Sequence, residues 1–286
     1  MADVGDAVGA GEEVERAEVP GTVESAEGAS SASGHPVSAL DASASAAEVE
    51  DLLIIGAGGF ARETAAAVAA LNAVRPTWRL LGFLDDDPLL HGRELEGVGV
   101  LGGTDLVARL PKVRVVLCVG NPRGYRARAR LVERLGLPES RYATVIHPSA
   151  QISASCTVGP GSVILALVTM TACVEVGAHV AVMPQVVLTH DVMVADHATL
   201  ASGVVLGGGV RIGRGAYLGA GALIREQLVV GAWAQVGMGS VVLHDVPAAE
   251  VWVGSPARYL RPAESDTKTL ADAYAHAGSH ANGEHR

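Results

Sequence analysis

Every sixth residue from Ile146 to Val242 is aliphatic or methionine, beginning Ile146, Ile152, Val158, Ile164, Met170 and Val176. The run holds through Leu188, Leu200, Leu206 and Leu218 to its end, seventeen residues without a break. Four places after each key residue stands a small or β-branched residue in nearly every case, among them Ala150, Cys156, Ser162, Ala216 and Ala234. Glycine often follows the key residue directly, as in "VGPGSV", "IGRGAY", "LGAGAL" and "VGMGSV". A six-residue period of this form predicts a parallel β-helix: each hexad supplies a short strand and a turn, and its key aliphatic points inward. Three hexads close one triangular coil of eighteen residues, which rises by about the 4.8 Å strand spacing. On that geometry Val176, Val194, Ile212 and Val230 stack in one inner column. With only 3% aromatic residues, the core has to be aliphatic.

A different pattern precedes the hexads. "DLLIIGAGG" is an apolar strand ending in glycines, and "FARETAAAVAAL" continues at helical spacing. "WRLLGFLDDD" and "VRVVLCVGNP" are two more strands, and "RGYRARARLVERLG" is a helix with a glycine stop. Strand, helix, strand, strand and helix predict a small Rossmann-like parallel sheet over residues 49–143, with the β-helix over 144–262. The fold class expected is therefore α/β plus β-solenoid. Residues 1–48 are Ala, Gly, Ser and Glu with few large apolar side chains, and 263–286 form a polar tail. Both are expected to be disordered.

Bulk properties exclude some roles. A formal charge of −10 argues against nucleic acid as a partner. Cys118, Cys156 and Cys173 are too few and too scattered for a disulfide framework or a zinc site, which suits a reduced, cytoplasmic setting. "MADVGDAVGAGEEVERAEVP" is acidic and lacks the apolar stretch of a targeting signal. No membrane insertion is expected. "GAGGFA" also fits the G-x-G-x-x-A dinucleotide pattern, but some ninety residues leave room for one mononucleotide half, which fits a nucleotide-sugar better.

Chemistry is concentrated in "LTHDVM". Counting Leu188 as the first place of its hexad, His190 and Asp191 take the third and fourth places, at the turn. An imidazole oriented by a carboxylate is a general-base arrangement. Asp196 is a competing partner for the imidazole, and a group of another subunit is an alternative partner for Asp191. The plain alternative is a solvated corner, and that reading is preferred for His179, alone in a fourth place. His244-Asp245, three coils beyond His190-Asp191, reads as structural.

Residues 52–260 resemble the hexapeptide-repeat sugar acetyltransferases, of the bacillosamine-pathway N-acetyltransferase and sialic acid O-acetyltransferase type. The resemblance rests on "GAGGFARE", "GFLDDD", "CVGNP", "IHPSAQIS", "THDVMVAD", "YLGAGALI" and "VWVGSPAR". It implies a left-handed β-helix, a homotrimer, and transfer of acetyl from acetyl-CoA to an amino or hydroxyl group of a nucleotide-linked sugar. His190 is then the general base and Asp191 its acidic partner. The nucleotide-sugar falls at Gly58, Gly59, Phe60, Asp85, Asp86 and Gly120, and acetyl-CoA runs past Ala220 and Met238. Two departures stand out. The bacillosamine type carries a histidine where this chain has Phe60, and the histidine the family often places nine residues after the base is Thr199 here. His197, two residues earlier, is either a substitute at acetyl-CoA or a neutral surface residue. No metal is expected. The rival reading is a non-catalytic or carbonic anhydrase-like trimer, since His179 and His197 lie eighteen residues apart and would stack on one edge.

Overall fold

The computed structural model describes residues 49–120 and 122–263, together with a two-residue strand, His35–Pro36, that pairs antiparallel with Thr157–Val158. Apart from that strand and Ala263, the two expected tails lie outside the described residues.

The first part is a five-stranded sheet. β1 (Glu50–Ile55) is an interior strand, parallel to the central β2 (Trp78–Leu84) on one side and to the edge strand Arg114–Leu117 on the other. A short hairpin, β3 (Glu94–Leu95) and β4 (Val98–Gly102), extends the β2 edge, with β4 parallel to β2. We number Arg114–Leu117 as β5, giving the order β3-β4-β2-β1-β5. Side chains alternate across a strand, so Leu52 and Ile54 meet α1 (Gly59–Val74), while Leu53 and Ile55 join the core of the opposite face with Leu131 of α2 (Ala127–Leu135). From Leu52 to Ile55 β1 is apolar and buried because both its faces are covered there. Two details differ from expectation. The β3–β4 hairpin was not foreseen. α2 starts at Ala127 instead of near Arg123, because the preceding turn reaches the β-helix: the Tyr125 hydroxyl donates to the Trp233 carbonyl (2.9 Å).

From Val145–Ile146 to Val241–Val242, every hexad forms a two-residue strand ending on the key aliphatic. The strands pair in parallel at intervals of eighteen residues, as in Glu175↔Met193↔Arg211↔Val229, so the column Val176, Val194, Ile212 and Val230 forms as expected. Three faces result. Face I carries Ile164, Val182, Leu200 and Leu218. Face II carries Met170, Leu188, Leu206 and Ile224. Face III carries Val176, Val194, Ile212 and Val230. The key and fifth-place residues fill one continuous aliphatic core. Burying each such side chain stabilises the fold by about 1.5–3 kcal/mol.

The turns explain the glycines. Coils approach so closely at the second place that a Cβ on Gly159 would lie 2.6 Å from the Gly177 carbonyl carbon, and one on Gly207 would lie 2.6 Å from the Glu226 nitrogen. The fourth place closes the turn in left-handed backbone. Non-glycine residues there, including His179, Asp191 and His197, have φ of 54°, 60° and 62°. α1 and the apolar residues Ala143, Val145, Val163 and Leu165 share a core, which seats the sheet on face I. No helix among the described residues is long and apolar enough to cross a membrane.

Candidate active site

Each edge of the prism carries its own set of polar groups. On the edge between faces II and III, His190 Nδ1 lies 2.8 Å from Asp191 Oδ2. A carboxylate oxygen accepts here, so Nδ1 donates, and in the neutral imidazole Nε2 then carries the lone pair. Both side chains are exposed, at 65% and 66%. Asp196 does not compete for the imidazole. It belongs to the edge between faces III and I, where its Oδ1 accepts from the Ala178 N–H (2.8 Å). Asp245 accepts from the Val229 N–H (2.8 Å), in keeping with a structural role for that second His-Asp pair.

One coil beyond His190 is Gly208, and a methyl group built on it would collide with His190 Cε1 and Nε2. The imidazole therefore lies over the space that a side chain would fill. Gly208 has no left-handed backbone, and it is the only glycine among the third-place residues, which elsewhere include Pro, Ala, Ser, Asp, Arg, Glu and Met. The turn does not require a glycine there; the imidazole does. The signal was visible as the middle residue of "LGGGV", eighteen positions after His190.

Ala220 and Met238 lie one coil apart on the edge between faces I and II, with Met238 80% exposed. A single chain thus brings His190 and Asp191 together, and separately Ala220 and Met238, on different edges.

The third edge overturns the reading of His179 and His197 as surface residues. Each is only 5% exposed, and their rings stack at 5.3 Å with planes 2° apart. Tyr142 meets His179 edge-on at 4.4 Å, and the buried Arg128 side chain covers both residues' carbonyls. Burial, with the nearby Arg128 guanidinium, pushes the His179 pKa down to about 4. Burial, then His179, Arg214 and Arg128, pushes His197 down to about 3. Stacked rings do not converge on a common point, and among the described residues no three His, Cys, Asp or Glu side chains are grouped to hold a metal. The Thr199 hydroxyl accepts from Arg128 Nη2 (2.8 Å). The His197 ring is thus buried, and the Thr199 hydroxyl is engaged by Arg128.

At the nucleotide-sugar positions the glycines and the acids part company. Gly58 is the N-cap of α1 without a side-chain cap bond, and nothing lies within 4 Å of a Cβ built on Gly58 or Gly59. The space beside both glycines is therefore open, and the first N–H groups of a helix, which have no intrahelical acceptor, are suited to phosphate. Gly120 is exposed with φ 124°. Phe60 is half-buried and packs against the core. Asp85, in contrast, is buried, and its two oxygens accept from the Ala57 N–H (2.9 Å) and the Asp87 N–H (3.0 Å). Its carboxylate is spent on shaping the glycine loop and does not reach out to a ribose. Asp86 accepts from the Thr104 N–H and hydroxyl and from Arg134. Partial burial raises its pKa, but Thr104 and Arg134 together outweigh that and hold the carboxyl below its ordinary range.

Residues 51–135 match the family described as the PglD N-terminal domain. Over 120 residues the chain is 33% identical to UDP-N-acetylbacillosamine N-acetyltransferase of Bacillus subtilis (strain 168), a match covering 41% of this chain and 52% of that protein. The chain thus spans about half the length of that curated relative. Among solved structures, the acetyltransferase domain of PglB from Neisseria gonorrhoeae FA1090 is 30% identical, covering 74% of this chain and 100% of that one, with a TM-score of 0.65. It has also been solved with acetyl coenzyme A. PerB from Caulobacter crescentus, solved with CoA and GDP-perosamine, is 27% identical, covering 74% of this chain and 98% of that one, with a TM-score of 0.65. A Rossmann-like sheet seated on a left-handed hexapeptide β-helix, together with these matches, shows that the chain belongs to the hexapeptide-repeat sugar acetyltransferases.

Proposed function

We propose that this protein transfers an acetyl group from acetyl-CoA to the amine of a nucleotide-linked amino sugar, with His190 as general base. The observation that carries the assignment is the His190 ring itself. It is exposed, its Nδ1 is committed to Asp191, and its Nε2 side lies over the side-chain gap at Gly208. Nε2 takes the proton from the amine as nitrogen bonds to the thioester carbonyl carbon. The C–S bond then breaks, the His190 imidazolium returns that proton to the sulfur, and CoA leaves as its thiol while the imidazole is regenerated. Asp191 fixes the tautomer and stabilises the imidazolium that forms. The open N-terminus of α1 receives the diphosphate, and the relatives solved with CoA or with GDP-perosamine support both ligand classes.

The separation of His190 from Ala220 and Met238 on different edges supports a homotrimer, in which one protomer's base faces the neighbour's acetyl-CoA edge. A cytoplasmic setting accords with these substrates. The test is thiol release from acetyl-CoA against a panel of UDP-, GDP- and dTDP-linked amino sugars, with product mass measured. His190→Ala is expected to lower turnover by about two to four orders of magnitude while acetyl-CoA binding is retained. Unchanged turnover, or equal loss of both, would overturn the assignment.

A further inference from the structure

Arg128 is the largest fully buried side chain among the described residues, at 2% exposure. It extends from α2 onto the prism, and its hydrogen-bond partners are all neutral. Nε donates to the His179 carbonyl (2.7 Å), Nη1 to the Val119 carbonyl (3.3 Å), and Nη2 to the His197 and Ala198 carbonyls (3.0 Å each) and the Thr199 hydroxyl (2.8 Å). Burial pushes its pKa down to about 10. Burying a cation without a carboxylate costs several kcal/mol, and an apolar side chain of similar size commonly fills such a space with no loss of stability. Packing alone does not account for a guanidinium here.

What it does that an apolar side chain cannot is address three separate backbone segments in one plane. Val119 precedes Gly120, the glycine of the candidate nucleotide loop, and a Cβ on Gly120 would lie 3.7 Å from Arg128 Nη1. His179 and His197 are eighteen residues apart, so they bound a single coil of the prism. That coil contains His190 and Asp191 on another edge. The His179 and His197 carbonyls accept no bond of the coil-to-coil backbone ladder, which leaves them for the guanidinium.

We propose that Arg128 is a positioning residue that fixes the Val119–Gly120 loop to the one coil bearing His190, and so sets the height along the prism at which the nucleotide-sugar is presented. The inference rests on the acetyltransferase reading above. A static clamp of this kind touches neither substrate, so its effect reads out in one substrate's kinetics and not the other's.

The test compares Arg128→Met, Arg128→Lys and Thr199→Val in steady-state acetyl transfer to whichever amino sugar the wild type accepts, with folding followed by circular dichroism and thermal melts. Arg128→Met is expected to lower kcat/KM for the nucleotide-sugar by about tenfold or more, with KM for acetyl-CoA within about twofold of wild type. Arg128→Lys, which keeps the charge but loses the planar fork, is expected to recover part of the loss. Thr199→Val removes one acceptor of the same guanidinium and is expected to raise the nucleotide-sugar KM about threefold, again sparing acetyl-CoA. A lowered melting temperature with unchanged nucleotide-sugar kinetics in Arg128→Met reduces Arg128 to a structural role and overturns the inference. So does a Thr199→Val variant whose defect lies in KM for acetyl-CoA. If Arg128→Met does not fold, unaltered nucleotide-sugar kinetics in both milder variants overturn it instead. A wild type that acetylates no sugar overturns the proposed function and this inference together, whereas an active wild type with indifferent variants overturns this inference alone.

Discussion

His190 and the pair His179 and His197 stand on two edges of one prism, and the two edges have little else in common. His190 stands in a third place with a carboxylate on Nδ1 and its ring largely in solvent. His179 and His197 stand in fourth places, stacked on each other and buried beneath the sheet domain, their Nδ1 atoms lacking any hydrogen-bond partner. The repeat makes both edges alike. What separates them is the non-repetitive part of the chain: Arg128 and Tyr142 cover one edge and leave the other open. A solenoid decides where a side chain emerges; whatever packs against it decides whether that side chain can take part in chemistry.

Acid should divide the two edges most sharply. Each buried histidine has a native pKa below its ordinary 6.5, so the unfolded chain binds more protons at mildly acidic pH. Their contribution to stability is complete above pH 6.5 and is lost as pH falls, at up to about 1.4 kcal/mol per pH unit for each ring. The loss continues to about pH 4 for His179 and about pH 3 for His197. Urea melts at pH 7 and pH 5 should show a smaller drop for His197→Gln than for wild type, glutamine being the residue at the equivalent left-handed places 185 and 227. Identical drops would mean that the stacked pair does not titrate as its burial demands.

On the open edge, the next effect in size belongs to Gly208. Gly208→Ala should leave the melting temperature close to wild type, since alanine occupies the same place at 172, 178 and 220. Turnover should fall about a hundredfold, because a misplaced catalytic group of this sort costs roughly that factor. Full activity would show that the ring does not need the gap. Asp191→Asn should be milder, lowering kcat about tenfold, below the roughly 100- to 10,000-fold that general-base assistance itself spans, because the imidazole is kept and only its orienting carboxylate is lost. Asparagine tolerates left-handed backbone, so an unchanged rate could not be put down to refolding of the turn and would remove the carboxylate from the mechanism.

The prism was legible almost residue by residue. A six-residue period with an inward aliphatic has one geometric solution, and Val176, Val194, Ile212 and Val230 lie in the column that the spacing requires. β1, β2 and β5 were legible because each is a short apolar run between glycines or acids. The β3–β4 hairpin was not, since "ELEGVGVLGG" is too short and too glycine-rich to show a period. Asp85 and Asp86 read as ligand contacts through the resemblance, and acids ending a strand can hydrogen-bond ribose hydroxyls; which way Asp85 turns depends on the N–H of Ala57, twenty-eight residues away. Arg128 was hidden for the same reason. In "RGYRARARLVERLG" it is one arginine among several on a helix, and only the packing of that helix onto coils some fifty to seventy residues further on sets it apart.

The eighteen-residue pairing has a bearing on how such a chain can change. Removing one hexad between Gly161 and His190 would leave every key aliphatic in phase and the interior filled, yet rotate everything downstream by a third of a circuit. The imidazole would then emerge from a different edge of a sound scaffold. Length variation that spares function in this architecture must therefore come in whole circuits, or be spilled outward as loops at the corners.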